Sequence, residues 1–340
     1  MPKSAPSSSG AGLTAAGDLC VRGRAEGLTP CLYQSGEARS IGARRHARAR
    51  RDPLGREGPP GYSSAMNDDA GLDPELERLL DDAWDALEDG DLRAVRRALR
   101  AARDLDAADP AVLEVEAVLA REQDEPERAL DAYHRWSEAD PDDPEPWLGS
   151  AEVYLDFGEP GEAARLLREL LAGPPLDPLD EADARHLLGC ACEEKGDAKG
   201  MAREWLATLR LDEANDGPES RITREEFERL AAEALDGLPD EVLTRLANVP
   251  VFVEDRPSEA LVLEGLDPRT LGLFHGLAMP DQSVLGPGPD VGVIHLFQRN
   301  LERDAPDDDE LAEQIRITVL HETAHYFGAG EQDMHRFGLN

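Results

Sequence analysis

Four stretches of the chain share one design, a polar turn followed by an alanine-rich helix. They are "LEDGDLRAVRRAL", "REQDEPERALDAY", "LDFGEPGEAARLL" and "CEEKGDAKGMAREW". With Gly90, Asp124, Gly158 and Gly196 as the turn positions, the offsets are 34, 34 and 38 residues. Self-similarity at such a period marks a helix–turn–helix unit, and a unit that small cannot bury its apolar face alone. Neighbours must therefore stack, which predicts an all-helical array over residues 72–214. The plainer alternative is a generic helical bundle, and either way the region is helical.

A 34-residue period is that of the tetratricopeptide repeat (TPR), and the third unit resembles it best. Trp147, Tyr154, Gly158, Ala163 and Pro175 stand where that repeat wants a large ring, a second ring, a turn glycine, a small residue and a helix breaker. The fourth unit has Leu188-Gly189 and Cys192 in its first helix and Trp205 in its second. Small residues let paired helices approach, and large ones fill the space between units. The first two units match loosely, so no more than three true repeats are expected. Arrays of this kind present a concave surface to a partner peptide or protein.

The chain is strongly acidic, with 36 Lys/Arg against 72 Asp/Glu and a formal net charge of −36. That charge favours solubility and disfavours nucleic acid as a partner. It is unevenly spread. Residues 1–65 hold ten Lys/Arg and five Asp/Glu, so the rest of the chain carries −41. This basic segment is rich in Ser, Gly, Pro and Arg and has no apolar period. It is expected to be a disordered tail, lying ahead of an alternative start at Met66. No run of about 18 apolar residues is present, which predicts no membrane span. Asp18 and Arg22 interrupt the only candidate signal segment. Of four cysteines, Cys20 and Cys31 fall in the tail, while Cys190 and Cys192 point in different directions on one predicted helix. Reduced packing cysteines in a cytoplasmic protein are expected.

Residues 215–222 have the composition of a linker. A helix is predicted from Thr223, which can cap it with Glu226 as the capping-box partner, and a short helix is expected to follow to Ala247. Strands are predicted at 249–257, 270–277 and 290–301, where β-branched and aromatic residues lie between turn signals. A long helix then opens at Asp307, with Glu310 as reciprocal cap, and ends at Gly328. Within it "IRITV" has strand-like composition, but the cap and the length favour helix.

That last helix carries His321-Glu322-Thr323-Ala324-His325. Residues i and i+4 share a helix face, so both imidazoles can reach one tetrahedral Zn²⁺. Glu322 falls near enough to act on a zinc-activated water as general base without binding the metal. A third ligand must come from beyond the turn. Gly328 can take positive φ and bend the chain back, and Glu331 completes the pattern HExxHxxGxxE. Asp333 and His335 compete for the same role. Metzincin-type proteases place a histidine at this offset; here it is a carboxylate. His275 and His295, in predicted strands, and His134 and His186, in the repeats, call for no function. The strand at 291–297 is a candidate edge for pairing with an extended substrate.

"LPDEVLTRLANVPVFVEDRPS" (238–258) and "ITVLHETAHYFGAGEQDMHRFGL" (317–339) resemble the minimal zincin-like metallopeptidases, compact zincin domains of bacteria. His321, Glu322, His325 and Gly328 match that family's motif, Glu331 falls on its acidic position, and Met334-His335 with Gly338 match its tail. The segment "MPDQSVLGPGPDVG" is longer and richer in Pro and Gly than the family pattern. The resemblance covers about residues 223–340 and implies an α+β zincin-type fold with a metalloprotease-like site. The expected whole is a multidomain protein, a helical TPR-like array followed by a minimal zincin-like α+β domain. Its expected function is zinc-dependent peptide hydrolysis, with the repeats recruiting a protein substrate or partner and no part for membrane or nucleic acid. The alternative is a TPR-type interaction scaffold whose zincin domain holds zinc with little or no turnover.

Overall fold

Eight helices follow one another from Pro74 to Asn215 among the described residues: α1 (Pro74–Glu88), α2 (Leu92–Leu105), α3 (Pro110–Glu122), α4 (Pro126–Ala139), α5 (Glu145–Asp156), α6 (Pro160–Ala172), α7 (Pro178–Glu194) and α8 (Ala198–Asn215). The structure is a computed structural model and describes residues 73–238, 243, 244, 246, 249–276 and 292–328. The predicted tail, most of the short helix before Ala247, and the end of the chain after Gly328 fall outside them. Local chemistry explains where the helices start. Asp73, Asp109 and Asp177 each accept a hydrogen bond from the backbone two residues on, and proline follows each of them at the first helical position. Proline there loses no hydrogen bond, and its φ is already helical.

The turns inside the four units are built alike. Gly90, Gly158 and Gly196 have φ of 71°, and Asp124 takes 57°. In each, the following N–H reaches back to close the helix end: Asp91 to Ala86 O, Glu125 to Ala120 O, Glu159 to Tyr154 O and Asp197 to Cys192 O, at 2.7–2.9 Å. This is the Schellman closure, and it favours glycine at the left-handed position. All four turns thus share one geometry. The first two units looked loose because aspartate replaces glycine in one, and because their large residues do not follow the repeat's ring pattern. Small residues set the spacing. A Cβ on Gly149 would lie 2.4 Å from Tyr133 Cζ, and one on Gly189 would lie 2.1 Å from Trp205 Cδ1.

Beyond the array come α9 (Arg224–Asp236), β1 (Val251–Glu254), α10 (Glu259–Leu263), β2 (Gly272–His275), β3 (Val293–Phe297), α11 (Gln298–Asp304) and α12 (Asp308–Tyr326). Thr223 Oγ1 accepts from Glu226 N at 3.2 Å, and Asp307 Oδ1 from Glu310 N at 2.9 Å, so both predicted caps form. "IRITV" is helical. The sheet order is β1-β3-β2, with β1 parallel and β2 antiparallel to β3. This corrects the expectation that residues 291–297 form an edge. β3 is central, and its backbone is engaged on both sides, by Val251–Glu254 and by Gly272–His275. Among the described residues β2 is an outer strand of the sheet, on the side of α12. Phe227, Ile294, Leu296, Leu301, Leu311, Ile315 and Val319, all buried, fuse α9, the sheet and α12 into one core.

A buried ionic cluster joins the array to this core. Asp212 on α8 receives Arg269 at 2.9 and 3.0 Å and Arg303 at 3.1 Å. Arg269 also meets Asp183 of α7 at 2.7 Å, and Arg256 pairs with Asp216 at 2.7 and 2.9 Å. Burial by itself would raise the Asp212 carboxyl, but Arg269 and Arg303 overcome it and hold the group at about 2. Burial, with Arg269 alongside, pushes Arg303 down to about 10. The stretch predicted as a linker has neither helix nor strand after Asn215. It is tied down all the same: Arg299 donates to the carbonyls of Gly217 and Glu219, and Arg221 to that of Ala305.

Candidate metal centre

α12 brings three of the predicted site residues together. His321 and His325, one turn apart, have their rings 4.8 Å between centroids and their Nε2 atoms 3.1 Å apart. Two nitrogens of a tetrahedral zinc site with bonds of about 2.0–2.1 Å would stand roughly 3.3 Å apart. The pair therefore fits a shared ion closely. His321 is 7% and Glu322 3% exposed, and His325 is half-buried.

Glu322 is oriented by the sheet. Its Oε2 accepts a hydrogen bond from the Phe274 backbone N–H of β2 at 2.6 Å. In an antiparallel pair, alternate residues turn their backbone groups away from the partner strand. Phe274 is such a residue, and its outward N–H meets the helix. Gly272, two residues earlier on the same side, leaves the necessary room. A Cβ there would lie 2.6 Å from Thr318 Cγ2, 3.0 Å from Glu322 Cγ and 3.1 Å from Glu322 Oε1. Behind the site, Tyr326 meets Phe274 edge-on with centroids 5.7 Å apart.

α12 ends as predicted, with Gly328 at φ 79°. Glu331 and its rivals Asp333 and His335 lie outside the described residues. His275 ends β2 and is exposed, and His295 Nδ1 on β3 sits 3.0 Å from Glu254 on β1. Sequence reasoning missed the part played by Phe274 and Gly272. The only signal was a glycine in a short strand, which often marks a close approach. It also passed over His186, whose ring faces Asp267 at 2.9–3.0 Å across the junction between array and core.

Residues 246–339 match the family model of the zincin-like metallopeptidases. Residues 120–179 match that of the tetratricopeptide repeat. The chain thus joins a TPR-like region to a zincin-like metallopeptidase domain. No curated protein matches it. Among solved structures, it is similar to a protein described as the MamA RS-1 ArsTM double mutant, at 15% identity over 52% of this chain and 92% of that one, with a TM-score of 0.36. It is also similar to a tetratricopeptide repeat protein from Parabacteroides merdae, at 16% identity over 51% and 97%, with a TM-score of 0.29. Among the described residues, no helix is long and apolar enough to cross a membrane.

Proposed function

We propose that the protein is a zinc-dependent metallopeptidase whose repeats recruit a protein substrate or partner, working in the cytoplasm. The observation that carries this reading is the convergence of two Nε2 atoms 3.1 Å apart, with Glu322 fixed alongside by a strand edge. His321 and His325 hold the ion, and Glu331 is the proposed third ligand. Zinc, when bound, polarises a carbonyl and makes water a nucleophile near neutral pH. Glu322 takes up a proton during attack on the scissile carbonyl and returns it to the leaving amine. The Phe274 N–H, donating to its other end, keeps the carboxylate aimed.

A second reading has a specific observation behind it. Glu322 is 3% exposed and already bonded to β2, which suits a repeat scaffold with a zinc-holding domain of low turnover. Comparison of full-length wild type with Glu322→Gln separates the two. Zinc content should be unchanged in Glu322→Gln, while cleavage of a proteome-derived peptide library should fall by about 10²-fold or more. His321→Ala should hold one zinc fewer per chain than wild type. Equal cleavage by both proteins would sink the role of Glu322. Absence of cleavage by the zinc-loaded wild type would favour the scaffold.

A further inference from the structure

A second set of metal-binding side chains lies at the junction between array and core. His186 and Cys190 are four residues apart on α7 and so share a face. Asp267 comes from the loop between α10 and β2. His186 Nε2 is 2.9 Å from Asp267 Oδ2 and 3.0 Å from Oδ1, and Cys190 Sγ is 3.9 Å from the same Nε2. All three donor atoms fall within 4.8 Å of one another. His186 is 6% exposed, and the Asp267 side chain 15%. Trp205, Leu209 and Val262 close the apolar side against Cys190.

Two plainer explanations account for less. A cysteine–histidine relay needs the thiol on one ring nitrogen and the carboxylate on the other, whereas here both face Nε2. A simple His186–Asp267 ion pair leaves the convergent thiol unexplained. A tetrahedral ion with bonds of about 2.0–2.3 Å separates its N, O and S donors by roughly 3.3–3.6 Å; here nitrogen and oxygen are 2.9–3.0 Å apart, nitrogen and sulfur 3.9 Å, and no pair exceeds 4.8 Å, so small side-chain shifts bring all three to one ion. Arg269, whose backbone N–H donates to Asp267 Oδ1 at 2.7 Å, has its guanidinium met by Asp183 and Asp212, so it offers little repulsion to an incoming ion.

We propose that His186, Cys190 and Asp267 bind a divalent ion of borderline softness, zinc by preference, which clasps α7 of the array to the loop leading into β2. The mixed nitrogen, sulfur and oxygen donors select zinc over calcium or magnesium, and water fills the fourth position. The ion would join two units that are distant in sequence, and its loop runs directly into the strand that orients Glu322. The site stands whether or not the α12 centre cleaves anything.

The test uses cobalt(II) as probe on the full-length His321→Ala/His325→Ala protein, which lacks the two histidines of the other centre. One cobalt per chain is expected, with near-ultraviolet thiolate-to-cobalt charge-transfer absorption. Cys190→Ser in that background should abolish the absorption and weaken binding by about tenfold or more, and Asp267→Asn should weaken it likewise. Binding of no ion, cobalt without the thiolate band, or a band that survives Cys190→Ser would each overturn the proposal. Should circular dichroism show the double variant unfolded, the same titration on wild type and on Cys190→Ser alone decides. The α12 histidines and Glu331 supply only nitrogen and oxygen, so the band must appear in the first and vanish in the second.

Discussion

Gly272 contributes no side chain, and that is its role. Its would-be Cβ meets Thr318 and Glu322 at 2.6–3.1 Å, distances at which something must move. Gly272→Ala should destabilise the domain by about 1–3 kcal/mol through overpacking. It should also lower turnover while leaving zinc bound, because the groups displaced are Thr318 and Glu322 and not a histidine. Denaturant unfolding, zinc content and cleavage rate together check this; an alanine variant as stable and active as wild type would show that β2 does not set the carboxylate. At this scale the His321–Glu322–His325 trio was legible because i and i+4 on a helix need no long-range information. Phe274 was not, because its contribution is a backbone N–H with no side-chain signature. His186 was not either, because its partner Asp267 is 81 residues away and only the fold brings them together.

α12 depends on its two ends. At the first, Asp307 accepts the Glu310 N–H; at the second, Gly328 turns the chain away at positive φ. Replacing a capping aspartate by alanine costs about 0.5–2 kcal/mol. Asp307→Ala should therefore lower the melting temperature with zinc content unchanged, since the histidines sit at the far end, while Asp307→Asn should restore most of the loss. Loss of zinc in Asp307→Ala would mean that the helix does not fray locally. Both caps could be read from sequence because they are decided within three residues. The strands were found but drawn too long. β3 stops at Phe297, where Gln298 opens α11; Gln298 and Asn300 are polar yet buried, and Asn300 is held by the carbonyls of Pro268 and Thr270. The central place of β3 was hidden for another reason. Its parallel partner β1 precedes it by some forty residues, and alternation of side chains does not say which strand lies in the middle.

Over the whole molecule, Asp212 is the hub between array and core. Its folded pKa of about 2 lies below the ordinary value of 3.8. The stabilisation is therefore fully present above about pH 4 and is lost as pH falls towards 2, amounting to about 2 kcal/mol. Asp212→Asn should cost about 3–5 kcal/mol at neutral pH, because it strands buried arginines. The gap from wild type should narrow between pH 4 and 2. Urea titrations across that range test this, and a variant that tracks wild type at every pH would sink it. The segment 215–222 looked like a linker because its composition is polar and glycine- and proline-bearing; composition cannot register that Arg299 and Arg221 hold it. This gives the molecule a property that a tethered pair of domains would lack. Cut at Gly217, the chain would yield two fragments with complementary charges, Asp183 and Asp212 on one and Arg256, Arg269 and Arg303 on the other. Separately expressed, each would present a face that only the other satisfies. When mixed they should reassemble, detectably by co-elution, and Asp212→Asn in the first fragment should prevent it.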